Sequence, residues 1–301
     1  MTLQSVLKSM RLRTLPLSLS GIALGVMLAV ADYRVRPWVI VLLALTTVFL
    51  QILSNLSNEL GDTLHGVDAE DRQGLRYSLQ DGDMSVPQMK GLIGVIVALC
   101  CLSGLAMIHV SFGTFFSMQA LGFILLGAGA IWAAMHYTLG SNPYGYRGLG
   151  DLFVFLFFGI ATVCGGYFIC AHEIPSWILL LPAGTVGCFS VAVLNVNNIR
   201  DMKSDARTRT TVALRLGGKG ARIYQTVLIV LGWALMILFS SLRFFSLWHY
   251  LFVLTLPLFV MHLRGVWTRE DAALDPMLPL LVLSSFAFCL LGGLGYIVYL
   301  F

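Results

Sequence analysis

The sequence predicts an all-α polytopic membrane protein, with nine transmembrane helices around a central cavity and polar cap loops on the cytoplasmic side. Three observations carry the spans and the side on which their polar loops lie. Of 301 residues, 58% are hydrophobic and only 11% charged, proportions foreign to soluble domains. The apolar residues collect into runs long enough to cross a bilayer. The cations between those runs lie almost all in one alternating set of segments. The chain reads as a single integral-membrane domain over 1–301.

Lys8, Arg11 and Arg13 precede a first span at about 15–31, with Pro16 in its opening turn, where a missing N–H costs little. Residues 1–10 show no cleavable signal pattern, so this span is expected to be retained. A second span, about 38–56, closes in an acidic stretch, and residues 57–90 form a long polar loop. Pro87 opens the helix of span three, about 92–110. Span four, about 115–139, leads into a glycine-rich turn, and span five covers about 152–170. Span six, about 177–194, closes in a second acidic stretch, and residues 199–222 form a second polar loop. Spans seven to nine fall at about 224–242, 247–263 and 277–300.

With the N-terminus inside, sixteen of the 19 lysines and arginines lie in inner segments; Arg34, Arg36 and Arg243 lie outside. This bias predicts that the N-terminus and both acidic stretches face the cytoplasm. Six cysteines without CxxC spacing read as small buried hydrophobes, and the six histidines as packed or interfacial. Asp271 and Asp275, beside Pro276, read as a polar turn.

The second acidic stretch breaks the apolar pattern abruptly: two carboxylates, three asparagines and four cations fall between Asn195 and Arg209. On a continuing helix Asn198, Asp201 and Asp205 share one face. The first stretch answers it with Asn58, Glu59 and Asp62, and the spacing Asn55/Asn58 recurs as Asn195/Asn198. Carboxylates at a membrane edge are costly and repel one another unless a cation lies between them. Magnesium suits them, because it takes oxygen ligands from one or two carboxylates and substrate phosphates. Carboxylates, magnesium and arginines at the mouth of an apolar bundle suit a lipid diphosphate, whose leaving charge they stabilise. A cation-coupled transporter is the competing class. Its carboxylates would lie at mid-bilayer on broken helices, whereas these end their spans.

Four stretches carry a family resemblance: Arg11-Leu-Arg-Thr-Leu-Pro-Leu-Ser18; Asn55 to Asp62 with Gly66-Val-Asp68; Pro143-Tyr-Gly-Tyr-Arg-Gly-Leu-Gly-Asp151; and Asn198 to Asp205 continuing to Leu214-Arg-Leu-Gly217. Together they resemble the UbiA superfamily of intramembrane prenyltransferases, and within it most the 1,4-dihydroxy-2-naphthoate polyprenyltransferases (the MenA family) of menaquinone synthesis. The resemblance implies transfer of a polyprenyl group from its diphosphate to 1,4-dihydroxy-2-naphthoate, with loss of the carboxylate. Another aromatic acceptor, such as 4-hydroxybenzoate, is the alternative within the superfamily. It also implies Mg2+ held by Asn58, Glu59, Asp62, Asn198, Asp201 and Asp205, with Asp62, Asp201 and Asp205 central to catalysis. Glu59 stands where the pattern usually has Asp, and Asp68 lies on a different helical face from Asp62. Arg72 and Arg209 are candidate phosphate contacts, and Tyr137, Tyr146 and Arg147 candidate acceptor contacts. The two polar loops are expected to close over bound diphosphate, with Lys219 and Arg222 as anchors. Membrane lipid is the expected surrounding, and no nucleic-acid partner is expected.

Overall fold

The computed structural model describes residues 2–66, 77–173 and 176–298. Among them, nine helical segments are long and apolar enough to cross a membrane, as the hydropathy pattern predicts. No strand occurs among the described residues beyond an isolated bridge between Arg147 and Thr210.

A short helix, α1 (Leu3–Met10), precedes the spans and begins with a capping box between Thr2 and Ser5. α2 (Leu15–Asp32), α3 (Pro37–Leu64), α4 (Val86–Phe112) and α5 (Met118–His136) follow. The fifth span consists of α6 (Gly150–Val154), a π-helical turn Phe155–Ala161, and α7 (Thr162–Ala171). The sixth is α8 (Leu180–Arg200), followed by the single turn α9 (Met202–Asp205). α10 (Val212–Leu242), α11 (Leu256–Thr268) with a 3-10 lead-in from Leu247, and α12 (Met277–Val298) complete the chain.

α8 is the axis of the assembly. Ala183, Gly184, Gly187 and Ala192 leave little bulk along it, so α10, α12 and the π-helical turn pack closely around it. Phe189 of α8 joins Trp233, Phe259 and Phe288 in an aromatic cluster, with its ring 4.8 Å from Phe259 and 5.1 Å from Phe288. α3, α4 and α5 form a second group across the molecule, and α2 and α7 close the gap between the two. The helix ends bearing the acidic stretches are therefore held by the two packed groups.

Three boundaries differ from expectation. α3 continues through Leu64, so the first acidic stretch lies on helix rather than in the loop. α10 starts at Val212, which shortens the second polar segment and places Arg215, Lys219 and Arg222 on helix. The positive φ of Gly217 (69°) kinks that helix just after its first turn, a conformation costly for any residue with a side chain. Third, α8 ends at Asp201, whose φ of −93° and ψ of 8° leave the helical region. Asn198, Asp201 and Asp205 therefore do not share the face of one continuous helix.

Candidate active site

One cavity of about 390 Å³ is bounded by both helical groups. Its polar end is lined by Asn58, Asp62, Asn197, Asn198 and Arg209, together with Arg11, Arg13 and Tyr77. Its other end is lined by Leu17, Ile22, Leu43, Met107, Phe123, Phe157 and Phe158. Leu43 and Asp62 lie on the same helix, so the cavity follows α3 for roughly 28 Å at 1.5 Å per residue. The π-helical turn lines this trough through Phe157, Phe158 and Ala161, a local feature that no sequence pattern announced.

The two acidic stretches meet around Arg209. Its Nη2 donates to Asp205 Oδ1 at 2.7 Å, and its side chain is only 8% exposed. Burial opposes the guanidinium charge, but Asp62 and Asp205 hold its pKa above the ordinary value. Burial raises the pKa of Asp205, against the pull of Arg209, and the nearby charges of Asp201 and Asp62 raise it further. Among the described residues, neither the buried Asp205 Oδ2 nor the buried Arg209 Nε has a hydrogen-bond partner.

The aromatic residues frame this centre. Tyr146 Oη donates to Asp62 Oδ1 at 2.7 Å. Tyr137 lines the cavity, and burial pushes its phenol up to about 12 although Arg209 pulls the other way. The turn 143–151 wraps around Tyr137. Gly145 N–H donates to the Tyr137 carbonyl, and a Cβ at Gly145 would lie 2.5 Å from that oxygen. The glycine is there because the two backbones touch.

Among the expected ligands, the structure brings Asn58, Asp62 and Asn198 to the cavity wall and Asp205 beside Arg209. It does not bring Glu59. Successive helical residues point about 100° apart, and Glu59 turns away from Asn58 to accept a 2.8 Å hydrogen bond from Leu79 N–H. Asp201 is buried, but both its oxygens are taken by Arg200, through Nε at 2.8 Å and Nη2 at 2.7 Å. Arg200 Nη1 continues to Asp275 at 2.5 Å, so the expected polar turn around Asp275 also braces Arg200. Arg147 is exposed and absent from the cavity lining; its carbonyl accepts from Arg215. Arg72 and Asp68 lie outside the described residues.

No group of three or more His, Cys, Asp or Glu side chains comes together as a metal site among the described residues. The donor set is instead mixed. Asn58, Asp62 and Asn198 offer oxygens from the wall, and Asp205 Oδ2 is a buried carboxylate oxygen without a partner. Such a set fits a hard divalent cation that keeps substrate oxygens among its ligands.

Sequence reasoning passed over Arg11, Arg13 and Tyr77 as site residues, because cations flanking a first span are explained by topology alone. It also passed over Asn55, which lines the cavity and donates to Met10 O and to Thr14 Oγ1, at 2.9 Å each.

The UbiA prenyltransferase family model matches residues 18–286. The 1,4-dihydroxy-2-naphthoate octaprenyltransferase of Escherichia coli is 40% identical over 295 residues, covering 97% of this chain and 94% of that protein. The enzyme of the same name from Haemophilus influenzae is 37% identical, covering 96% and 94%. Among solved structures, an apo UbiA homologue from Aeropyrum pernix superposes with a TM-score of 0.69 at 17% identity, over 98% of this chain and 99% of its own. A UbiA homologue from Archaeoglobus fulgidus bound to GPP and Mg2+ gives 0.68 at 16%, over 97% and 99%.

Proposed function

Because the chain belongs to the UbiA prenyltransferase family, we propose that it moves a polyprenyl group from its diphosphate to 1,4-dihydroxy-2-naphthoate in menaquinone synthesis. The observation that carries the reading is one continuous cavity that follows α3 for roughly 28 Å, from a charged end at Asp62 to an apolar end at Leu43, Met107, Phe123 and Phe158. A diphosphate head and an isoprenoid tail need those two environments in one continuous space. A transporter reading has no use for a deep apolar trough ending at the acidic helix ends. The protein is an integral membrane transferase.

The C–O bond between prenyl carbon and diphosphate breaks, and the electron pair leaves with the diphosphate. The electron-rich naphthalene ring forms a carbon–carbon bond to the prenyl carbon through the ring carbon that bears the carboxylate. The carboxylate departs as carbon dioxide, returning its bonding pair to the ring.

Asn58, Asp62, Asn198 and Asp205 would hold magnesium, which supplies positive charge to the departing diphosphate. Arg209 adds a second cation to the same end, already poised between Asp62 and Asp205. Tyr137, neutral at working pH, offers a hydroxyl at the junction of the polar and apolar ends. Asp201, its charge balanced by Arg200, braces the helix end that carries Asn198. The apolar trough keeps water from the electron-deficient prenyl carbon until the ring captures it. The cation bias supports a polar end and an N-terminus that face the cytoplasm, and the bacterial relatives support an inner membrane as the setting.

The test is product analysis with purified protein in detergent, where no gradient exists. Dihydroxynaphthoate and a polyprenyl diphosphate should give a prenylated naphthalene lacking the carboxylate. A product that keeps its carboxylate, or turnover with 4-hydroxybenzoate alone, would reassign the acceptor.

A further inference from the structure

Three arginines near the polar end differ in how their planar Nε/Nη2 edge is used. In Arg200 that edge grips both oxygens of Asp201, a bidentate fork. In Arg209, Nη2 meets Asp205 while Nε has no partner. In Arg11, Nε and Nη2 are both buried and neither donates to an acceptor among the described residues. Burying two donors of a guanidinium without acceptors is costly, and Arg11 lines the cavity.

The surroundings hold Arg11 in that posture. Its Cζ lies 3.6 Å from the centroid of the Tyr77 ring, and Arg13 Nη2 donates to Tyr77 Oη at 3.1 Å. Its backbone takes a φ of 50°, uncommon for a residue other than glycine. Asn55 of α3 ties the turn down through Met10 O and Thr14 Oγ1. We propose that Arg11, stacked on Tyr77 and supported by Arg13, receives the carboxylate of the aromatic acceptor.

Charge and position favour the acceptor over the diphosphate. Arg11, Arg13, Thr14, Gln51, Asn55 and Tyr77 bring two cations and no carboxylate to this part of the wall. A metal-bridged diphosphate brings cations of its own and needs carboxylates, which stand at Asp62 and Asp205. Asn55 precedes Asp62 by seven residues, so the turn it anchors lies about 10 Å along α3 from that carboxylate. The diphosphate itself reaches across much of that gap, so the prenyl carbon attached to it arrives beside the fork, where the ring carbon that bears the carboxylate meets it. The assignment rests on the acceptor reading above in taking that acceptor to be a carboxylate.

Equilibrium binding to the purified full chain in detergent tests it, using wild type, R11Q and R11K. The ligands are 1,4-dihydroxy-2-naphthoate, 1,4-dihydroxynaphthalene (the same ring without carboxylate), and a non-hydrolysable prenyl diphosphate analogue with magnesium. R11Q should weaken naphthoate binding on the order of tenfold to a hundredfold. It should leave dihydroxynaphthalene and the diphosphate analogue nearly unchanged, which also certifies the fold. R11K, which keeps the charge but loses the fork, should recover only part of the naphthoate affinity. Unchanged naphthoate binding in R11Q, or a loss confined to the diphosphate analogue, overturns the proposal. If R11Q loses both ligands, R11K decides: recovery of the analogue ahead of naphthoate supports the proposal, and any other pattern overturns it. Arg11-dependent binding of 4-hydroxybenzoate in place of naphthoate would sink the naphthoate reading and keep the carboxylate fork. Wild type that binds neither carboxylate overturns both.

Discussion

Tyr146 Oη donates a 2.7 Å hydrogen bond to Asp62 Oδ1, fastening the glycine-rich 143–151 turn to the end of α3. The phenol thereby orients one oxygen of the carboxylate that lines the cavity. Tyr146→Phe should keep the protein folded and lower kcat/KM about tenfold, the value of a hydrogen bond to a charged group. Steady-state kinetics with both substrates checks this, and an unaltered kcat/KM would make the contact a packing detail.

Asp62→Asn and Asp205→Asn should each cost about a hundredfold or more in turnover, because each removes charge that the metal and Arg209 share. Turnover should vanish in excess chelator and return with magnesium. The non-hydrolysable diphosphate analogue should likewise bind wild type only when magnesium is present. Full turnover in chelator would remove the metal from the mechanism.

Glu59→Gln makes the opposite case. Glu59 accepts from Leu79 N–H, away from the cavity, and an amide oxygen can do the same. The magnesium concentration for half-maximal rate should therefore stay unchanged in this variant. Glu59→Ala should lower stability by about 1–3 kcal/mol, the cost of a stranded buried donor. Thermal unfolding and a magnesium titration separate the two effects; a shifted titration in Glu59→Gln would restore the residue as a ligand.

The Tyr137 hydroxyl is pushed up to about 12 by burial, so it stays protonated below that value. If it acts as a neutral donor, Tyr137→Phe should lower the rate by the same factor from about pH 6 to about pH 9. A wild-type advantage that collapsed toward high pH would instead mean that the phenol ionises within the working range.

Arg209 and Arg222 carry the same charge in different settings. Arg209 is enclosed between two carboxylates, whereas Arg222 donates to the carbonyls of Val266 and Arg269 and so ties α10 to the end of α11. Arg209→Ala should raise the KM for the prenyl donor several-fold, and Arg222→Ala should not. With the diphosphate analogue and magnesium, amide exchange across 201–211 should slow in wild type and not in Arg209→Ala. Ligand-independent exchange would leave no support for closure of this segment.

The chain's composition and its spacing of apolar runs sufficed for nine spans, because a lipid environment forces long helices and a 1.5 Å rise forces their length. The acidic stretches at span ends were legible for a related reason: charge at a membrane edge is too costly to be incidental. Linear spacing could not say where each side chain points once a helix stops. Asp201 ends α8, which sends Asp205 onto a separate turn beside Arg209, and a 100° step carries Glu59 away from Asn58. Nor could it separate a cation that marks topology from one that faces a ligand, since both lie in the same inner segments. Arg147 proved exposed, whereas Arg11 is stacked on Tyr77, 66 positions further along the chain, with its fork against the cavity. That distinction is made by contacts between residues distant in sequence, which only the packed chain brings together.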